Sequence, residues 1–383
     1  MVCLLLAAAF QGDLHHLAAN GSPEDLEASV RSGKPVDSLD AGKRTPLMIA
    51  AGRGREENVR ALIHLGADPN RLSSEGSSLH FAVRRGSTGC LTALLTAKAN
   101  PDPSDKSGRT PLIEACFLGK FEPAQLLIKH GAKPDLADKQ GDTPAHWACK
   151  FMKADKRDFE TDQLRVTCLD ILRRAGANLN AKNKKGLTPL MTAAIGDADG
   201  LVEFLIDSKV KVAQTDPLGR SALTFSAVYG RQSRTVSSLI AAGLKPTATE
   251  YLLFREPSKA LRMNLETAPP GPVGESLLAL AAECASVEMV KRSLATKVSI
   301  NRQDQLGWTP LHYAVSGRPD RRHLAGSRVF PNLGSEADRL KIVDLLVKSG
   351  AKLIRNFENE TPLDLATVTR QAKIVSRLKR MAN

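Results

Sequence analysis

The chain has 383 residues and carries 54 basic against 41 acidic side chains, which gives a formal net charge of +13 at pH 7. Aromatic residues make up only 4% of the chain. The six cysteines lie far apart without a Cys-x-x-Cys pair, and this spacing argues against a zinc site or a disulfide framework. A chain of this length ordinarily forms two or three globular domains. Its excess of positive charge favours acidic partners and salt-dependent association.

The first eleven residues are mostly apolar and lead into sequence of a different kind. The apolar run over residues 2–10 is far too short to span a bilayer. It has no basic residue before it and no convincing cleavage site after it, as a secretory signal would have. We therefore expect residues 1–11 to form an apolar capping segment on the fold that follows, with a secretory signal as the alternative.

One short phrase, Thr-Pro-Leu and its variants, recurs along the rest of the chain. Clear copies begin at Thr45, Thr110, Thr143, Thr188, Thr309 and Thr361, with weaker copies at Ser77, Ser221 and Glu275. Adding a degenerate first copy, the third residues of the copies lie at positions 14, 47, 79, 112, 145, 190, 223, 277, 311 and 363, so that most successive copies are 32 to 34 residues apart. A period near 33 residues is typical of a solenoid.

Each copy predicts two helices joined by turns. The Thr or Ser hydroxyl can accept a hydrogen bond from a free N–H of the first turn, and the proline supplies a helical φ where no N–H is needed. Small residues such as Ala50 and Ala51 follow, which let a second helix approach closely. That second helix is aliphatic, as at residues 126–128, and ends at a glycine such as Gly131, which suits a left-handed closing residue. Polar stretches such as residues 105–109 then reverse the chain.

These features resemble the ankyrin repeat, whose signature is a Thr-Pro-Leu-His helix start, an Ala pair, an aliphatic helix and a closing Gly-Ala-Asp-Pro-Asn. Residues 66–70 reproduce the closing motif, and residues 176–180 come close to it. The resemblance covers residues 12–383 and implies an all-α solenoid of about ten helix pairs with short β-hairpin fingers, in one continuous array. Each unit would bury its apolar face on its neighbours, and the fingers and first helices would line a concave groove.

Three insertions interrupt the repeat period. Residues 151–163 and 317–335 lengthen the turn between the two helices of a repeat, and their charged composition indicates solvated loops. Residues 245–274 stand where a finger belongs, and they include the apolar segment 251–254 and the stiff turn 269–272. This third insertion would rise near the groove and could dock a partner. A decayed half repeat that fills the core is the alternative.

The sequence contains no recognisable catalytic or metal-binding constellation. Residues 42–44 lack the earlier glycine of a phosphate-binding loop, and there is no zincin, kinase or Gly-x-Ser-x-Gly motif. The resemblance assigns a backbone-tying imidazole to the histidines at the signature position, His80, His146 and His312. Cys116 and Cys149 replace the second Ala of the repeat and are expected to be small buried residues. We therefore expect a protein that is not an enzyme and that needs no metal or cofactor.

The resemblance also indicates which residues face the groove. In ankyrin repeats these are the finger residues that flank the turn glycine and the two residues after the Ala pair. The candidate partner-binding residues are therefore Arg53, Arg84, Arg85, Lys106, Arg109, Phe117, Leu118, Lys139, Phe151, Lys184, Lys185, Leu218, Arg220, Tyr229 and Trp308. The four aromatic members would form a row of affinity-determining contacts flanked by cations, although each could pack on the adjoining finger instead. Four other aromatic residues are expected in the core: Phe81, Trp147, Phe225 and Tyr313.

The sequence thus predicts a protein-binding module, acting as a scaffold, adaptor or inhibitor, whose basic fingers steer an acidic protein or peptide into the groove. The alternative is a surface that binds polyanions, either nucleic acid or anionic lipid. No small-molecule substrate is expected. We expect a monomer in the cytoplasm, with the nucleus as an alternative, and secretion only if the N-terminal run is a signal.

The C-terminal residues predict a capping helix. On a helix, four basic residues fall along one stripe and three apolar residues along a neighbouring one, namely Arg370, Lys373, Arg377 and Arg380, and Ile374, Leu378 and Met381. The apolar stripe would dock on the previous repeat and the basic stripe would face water. A helix that binds membrane or nucleic acid is the alternative.

Overall fold

A computed structural model describes residues 13–150, 159–196, 198–227, 234–247, 249–250, 269–270, 276–296, 298–316, 335–369 and 371–382. These residues form 20 α-helices, which alternate between a first and a second helix of each repeat and so confirm the expected ten helix pairs. The first helices are α1 Leu14–Asn20, α3 Pro46–Arg53, α5 Ser78–Arg85, α7 Pro111–Leu118, α9 Pro144–Cys149, α11 Pro189–Ile195, α13 Ala222–Ser226, α15 Leu277–Glu283, α17 Pro310–Ser316 and α19 Pro362–Val368. The second helices are α2 Pro23–Arg31, α4 Glu56–His64, α6 Thr88–Thr96, α8 Phe121–Lys129, α10 Phe159–Arg174, α12 Asp199–Asp207, α14 Arg234–Ala241, α16 Val287–Leu294, α18 Glu336–Lys348 and α20 Ala372–Ala382.

The recurring phrase begins the first helix of most repeats, as the sequence predicted. The Thr45 hydroxyl accepts a hydrogen bond from the Met48 N–H at 3.3 Å, and the Thr110 hydroxyl accepts one from the Ile113 N–H at the same distance. Each such cap contributes about 1 kcal/mol to helix stability. At the other end of α3, Gly54 adopts φ +71°, a left-handed conformation that glycine takes without steric cost.

The chain divides into two compact units, Met1–Thr192 and Ala193–Asn383. In the first unit, α1, α3, α5, α7 and α9 pack side by side, and α2, α4, α6, α8 and α10 pack behind them. In the second unit, α15, α17 and α19 form one layer and α16, α18 and α20 the other. Whether the two units continue as a single array stays a prediction.

Small side chains lie where the layers of helices meet, and large aliphatic ones fill the space between them. Ala50, Ala115 and Cys116 are completely buried, which allows neighbouring helices to approach closely. In the second unit, Tyr313 and Leu346 are completely buried in one apolar cluster. Burying a side chain of this size contributes roughly 1.5–3 kcal/mol.

The fingers are tighter than the predicted β-hairpins. In the finger over residues 105–109, the Asp105 N–H donates to the Arg109 carbonyl at 2.9 Å, and Gly108 takes φ +81° at the turn. Among the described residues the only β-bridge outside regular strands joins Ser73 and Gly76, and no strand is formed. Each finger is therefore a hydrogen-bonded turn.

Two sequence boundaries need correction. The weak copy assigned to Glu275 begins one residue later, because the Ser276 hydroxyl caps α15 by accepting the Ala279 N–H at 3.1 Å. The insertion 151–163 is shorter than predicted as a loop, because α10 already begins at Phe159. The N-terminal segment 1–11, most of the 245–274 insertion and residues 317–334 of the last insertion lie outside the described residues.

The predicted docking of the apolar stripe of α20 is confirmed. In α20 the side chains of Ile374 and Leu378 are completely buried, and Met381 packs against the same cluster. Lys373 and Arg380 are exposed, whereas Arg377 turns back to form an ion pair with Asp344 of α18. Arg370 lies outside the described residues.

Candidate functional site

Three successive fingers of the first unit, 105–109, 138–142 and 183–187, hold exposed lysines at equivalent positions. The main chain ties the fingers together, because the Lys139 N–H donates to the Ser107 carbonyl at 3.1 Å and the Lys184 N–H donates to the Gln140 carbonyl at 3.0 Å. Lys106, Lys139 and Lys184 each follow the residue that opens the turn, and Lys185 comes next. We call these four exposed residues the lysine row.

The carboxylates of the same fingers form hydrogen bonds and ion pairs with neighbouring groups of the chain. Asp105 accepts the N–H groups of Ser107 and Arg109 at 2.7 and 2.9 Å, and its other oxygen pairs with the Arg109 guanidinium at 2.9 Å. Burial would raise the pKa of Asp105, but the hydrogen bonds from Arg109 and Ser107 and the Arg109 charge outweigh burial and lower it. Asp105 is therefore ionised and neutralised locally.

The carboxylates of Asp138 and Asp142 also have partners within the chain. Asp138 accepts the indole N–H of Trp147 at 3.0 Å, and Asp142 pairs with the Lys150 ammonium at 2.6 Å. Within the described residues, no carboxylate pairs with a side chain of the lysine row. The row therefore presents uncompensated positive charge to solvent.

The C-terminal ends of the first helices add further cations. Arg53 and Arg85 are exposed, and the Arg85 side chain lies against Gly54, where an added Cβ would come within 3.2 Å of its Cγ. Cations at this end of a helix are favoured by the helix dipole. Arg84 is held differently, because it donates to Glu114 at 3.1 Å and to the Glu75 carbonyl at 2.8 Å. Arg84 is thus half-buried and already paired.

Trp147 is half-buried and lies between cations, which corrects its assignment to the core. The Lys150 ammonium lies 3.6 Å from the centroid of the Trp147 ring, and the Arg109 guanidinium carbon lies 5.6 Å from it. Phe117 meets the same ring edge-on at 5.0 Å. Contacts of a cation with an aromatic ring contribute about 0.5–2 kcal/mol each. Trp147 therefore fixes the positions of two cations beside the lysine row.

In the second unit, two candidates are internal. Trp308 is only 5% exposed and packs on Tyr313 at a centroid distance of 5.3 Å. Arg220 pairs with Asp216 at 2.6 Å and stacks on Phe225 at 4.9 Å. Both occupy the last finger residue, whose side chain turns back towards the first helix, so neither offers much surface to a partner.

The remaining candidates divide between accessible residues and residues that the structure does not describe. Leu218 is 45% exposed, and Phe117 and Leu118 are half-buried. Phe151 and Tyr229 lie outside the described residues. Phe81, Phe225 and Tyr313 are buried, as the sequence predicted.

The signature histidines tie one repeat to the next, as expected. The Nδ1 atom of His146 accepts the Thr143 N–H at 3.2 Å, and its Nε2–H donates to the Leu187 carbonyl of the next finger at 2.9 Å. His80 and His312 do the same with Arg109 and Glu360. Burial lowers the pKa of all three imidazoles, and the hydrogen bonds to the carbonyls only partly oppose this effect. They are neutral structural residues.

A fourth histidine of this kind escaped the sequence analysis. The Nε2 atom of His15 lies 3.0 Å from the Arg44 carbonyl and 3.1 Å from the Ser38 carbonyl, as a signature histidine would. Its copy of the repeat lacks the Thr-Pro-Leu phrase, so only its spacing from the next copy could have indicated the role. Among the described residues, no group of three His, Cys, Asp or Glu side chains could hold a metal ion.

Cys116 and Cys149 are buried thiols of low reactivity. Burial raises the pKa of Cys149 to about 12. The contact with Cys168 and burial together raise the pKa of Cys116 well above its ordinary value. Both therefore act as small core residues, as predicted. No described helix combines the length and the apolar character that crossing a membrane requires.

Comparisons with known proteins agree with this architecture. A family model described as ankyrin repeats (3 copies) matches residues 14–105, 79–157 and 163–250, and one described as ankyrin repeats (many copies) matches residues 278–322. The crystal structure of the human ASB11 ankyrin repeat domain superimposes with a TM-score of 0.52 at 24% identity, covering 62% of this chain and all of that chain. At this identity the likeness shows the fold alone.

Curated relatives match through similar segments. Protein glp-1 of Caenorhabditis elegans is 30% identical over 223 residues, which cover 55% of this chain and 17% of the relative. The ankyrin repeat protein nuc-2 of Neurospora crassa is 32% identical over 186 residues, which cover 47% of this chain and 16% of the relative. The chain spans a quarter or less of the length of the curated relatives it matches. Because the family models match more than half of its residues, the chain belongs to the ankyrin-repeat family, whose repeats are generally protein–protein interaction modules.

Proposed function

We propose that the lysine row, together with Arg53 and Arg85, binds an acidic segment of a protein partner without catalysing a reaction. The observation that supports this function is a difference between the acidic and the basic side chains of the three fingers. Their carboxylates are paired with neighbouring groups at 2.6–3.0 Å, whereas their tip lysines point to solvent. A surface of this kind attracts acidic ligands over several ångströms and raises association rates.

The tied main chain of the fingers gives this surface a fixed geometry. Because Lys139 and Lys184 each donate their backbone N–H to the preceding finger, the lysine backbones do not have to be ordered when a partner binds. Phe117 and Leu118 lie half-buried at the end of α7 and offer apolar contact near the cations. A protein segment can use both the cations and the apolar surface, and this combination favours a protein over a simple polyanion.

The decisive comparison uses two triple variants with the same net charge. One is Lys106→Gln, Lys139→Gln and Lys184→Gln, and its control changes the exposed Lys98, Lys129 and Lys133 to Gln. Fluorescence anisotropy with a labelled glutamate-rich peptide measures affinity at low and high salt. We expect the first variant to bind about tenfold more weakly, since three surface charges are each worth up to roughly 0.5 kcal/mol here, and the control to bind like the wild type.

Equal losses in the two variants would show that net charge, and not this surface, determines binding. The same assay with a single-stranded oligonucleotide and with vesicles containing phosphatidylserine tests the polyanion alternative. Tighter binding of either probe than of the peptide, lost in the first variant, would replace the protein partner with that polyanion.

The free thiols support a reducing compartment for this function. Cys90, Cys116, Cys149 and Cys168 are buried and unbridged, which is usual for proteins of the cytoplasm or nucleus. Recovery of the tagged protein from the medium or from secretory membranes in cell fractionation would contradict this placement.

A further inference from the structure

Two neighbouring fingers of the second unit have a different chemistry at their tips. Phe357 occupies the position that Lys106, Lys139 and Lys184 hold in the first unit, directly after the residue that opens the turn. Its side chain is 73% exposed. In the preceding finger the half-buried Leu306 stands one residue further along the turn. Each of the fingers 304–308 and 356–360 therefore carries one apolar side chain at its tip.

The Phe357 ring is held in place by the preceding finger. The Phe357 N–H donates to the Leu306 carbonyl at 3.2 Å. The Gln303 side-chain amide donates to the Gly307 carbonyl at 2.8 Å and to the Arg355 carbonyl at 2.9 Å, which joins the two fingers a second time. An added Cβ at Gly307 would lie 2.8 Å from the Phe357 ring, so the ring rests on the bare glycine. This apolar surface exists before any partner arrives.

The same two fingers and their stems carry three exposed cations. Arg302, Lys352 and Arg355 are exposed on the stems of the two fingers, which are joined because the Lys352 N–H donates to the Asn301 side chain at 2.8 Å. Of the nearby acidic residues, Asp304 is buried and accepts the Tyr313 hydroxyl at 2.5 Å. The Glu360 carboxylate accepts the Asn356 side-chain amide at 3.1 Å, which leaves Glu358 as the exposed acid of these fingers.

We infer that Leu306 and Phe357 form a second docking surface, which accepts an acidic protein segment carrying a large apolar side chain. Covering an exposed phenylalanine removes a large apolar area from water, and a ring already held in place loses little entropy on binding. The three cations select carboxylates on either side of the apolar residue. A second copy of the chain fits less well, because its own Arg302, Lys352 and Arg355 would face the same cations.

The test uses the full chain and two labelled probes. One is a peptide with a central leucine–phenylalanine pair flanked by glutamates, and the other has two serines in place of the pair. The measured quantity is the ratio of the two affinities and its change in variants of Phe357, because the contribution of the lysine row and of the neighbouring Phe117 and Leu118 is the same in the wild type and in those variants. We expect the wild type to prefer the apolar probe by about tenfold, as is usual for a central aromatic contact.

Four variants make the test specific. Phe357→Ser should lower the ratio several-fold, whereas Phe357→Leu should retain most of the preference. Leu72→Ser, at a leucine of the first unit that is 55% exposed, should leave the ratio unchanged. The triple lysine variant should weaken both probes and preserve the ratio, so a failure of the lysine row and a failure of this surface give different results.

Two results would overturn the inference. The first is a wild-type ratio of about one, or a ratio that Phe357→Ser leaves unchanged while its thermal unfolding matches the wild type. The second is self-association of the wild type in light scattering that Phe357→Ser abolishes, because the surface would then join two copies of the chain.

Discussion

The guanidinium of Arg165 donates a hydrogen bond to the Phe117 carbonyl at 3.0 Å and joins α10 to the end of α7. It also donates to the Lys150 carbonyl at 2.9 Å, just beyond the end of α9. α7 ends at Gly119 with φ +66°, but α9 is followed by Lys150 in an extended conformation and has no such glycine. The buried guanidinium therefore satisfies carbonyls that a helix end leaves free.

A second arginine plays the same role where the last insertion interrupts a repeat. Arg339 of α18 is buried and donates to the Ala314 carbonyl of α17 at 3.0 Å. Arg165 and Arg339 each stand eleven residues before the glycine that closes their repeat, Gly176 and Gly350. Repeats whose helix-joining turn is lengthened thus use a buried arginine to hold their helices together.

Arg165→Met should destabilise the protein by about 2–4 kcal/mol, because it leaves the Phe117 and Lys150 carbonyls without this donor and loses the packing of a buried side chain. The matched control is Arg174→Met on the same helix, where the side chain is exposed and pairs with Asp170. Urea unfolding followed by circular dichroism measures both. Losses of the same small size in the two variants would contradict a structural role for the Arg165 hydrogen bonds.

The fold could be predicted from the sequence because the residues that specify it are close together in the chain and recur in most repeats. A hydroxyl cap such as that of Thr45 and a closing glycine such as Gly54 lie within one helix and recur in later copies. Whether a finger side chain points to the core or to solvent could not be predicted, because it depends on packing against the neighbouring helix. Trp308 was expected to face a partner, and it is buried because the last residue of a finger turns inwards.

One sequence signal would have revealed that direction. An Asp and an Arg recur four residues apart across the finger, as in Asp40 and Arg44 and in Asp216 and Arg220. Such pairing occupies the last finger residue inside the repeat and leaves the residue after the Asp at the surface. The contact of Trp147 with Arg109 had no comparable signal, since Arg109 belongs to an earlier segment of the chain, whereas Lys150 follows Trp147 by three residues.

The lysine row predicts a spacing for acidic residues in the partner. Stacked helices lie about 8–10 Å apart, so successive finger lysines recur at roughly that interval. A peptide in the polyproline II conformation has three residues per turn and rises about 3.1 Å per residue, so every third side chain lies on the same face and meets one lysine. We expect a peptide with glutamate at every third position to bind several-fold more tightly than a peptide of the same composition with its glutamates contiguous.

Isothermal titration of the two peptides against the wild type, repeated with the triple lysine variant, measures this preference. The variant should bind the two peptides with similar affinity. Equal affinity of the wild type for both would show that the row acts only through its total charge.

Gly108→Ala should disturb the contact between two fingers. Gly108 has φ +81°, and an added Cβ would lie 2.8 Å from the Lys139 backbone nitrogen, which donates to Ser107. Gly66→Ala is the matched control, because Gly66 has φ +90° and nothing within 4 Å of an added Cβ. Both variants lose about 1 kcal/mol to backbone strain.

Only Gly108→Ala should lose more stability than this, and only this variant should bind the acidic peptide more weakly, since Lys139 must move. Thermal unfolding and peptide titration compare the two variants. The same loss in both, with unchanged peptide affinity, would mean that the finger contact does not position the lysines.

The buried histidines predict a loss of stability in mild acid. The pKa values of His80, His146 and His312 are lowered in the folded chain, chiefly by burial. Above the ordinary histidine pKa of about 6.5, the imidazoles are neutral in both folded and unfolded chains, and the full stability is present. As the pH falls below that value the unfolded chain binds protons first, so the free energy of unfolding decreases until the lower folded pKa values are passed.

The hydrogen bonds explain why the folded chain resists protonation. Nδ1 of His146 accepts the Thr143 N–H, and Nδ1 of His312 accepts the Thr309 N–H. A protonated imidazole has no lone pair for either bond.

Urea midpoints between about pH 7.5 and 5 should fall in the wild type and fall equally in a control with the exposed His16, His64 and His130 changed to Gln. His146→Gln should cost about 1–2 kcal/mol at neutral pH and show a shallower fall, because one of the titrating groups is gone. A midpoint that stays constant over this range, or a fall that disappears in the exposed-histidine control, would assign the acid sensitivity to other groups.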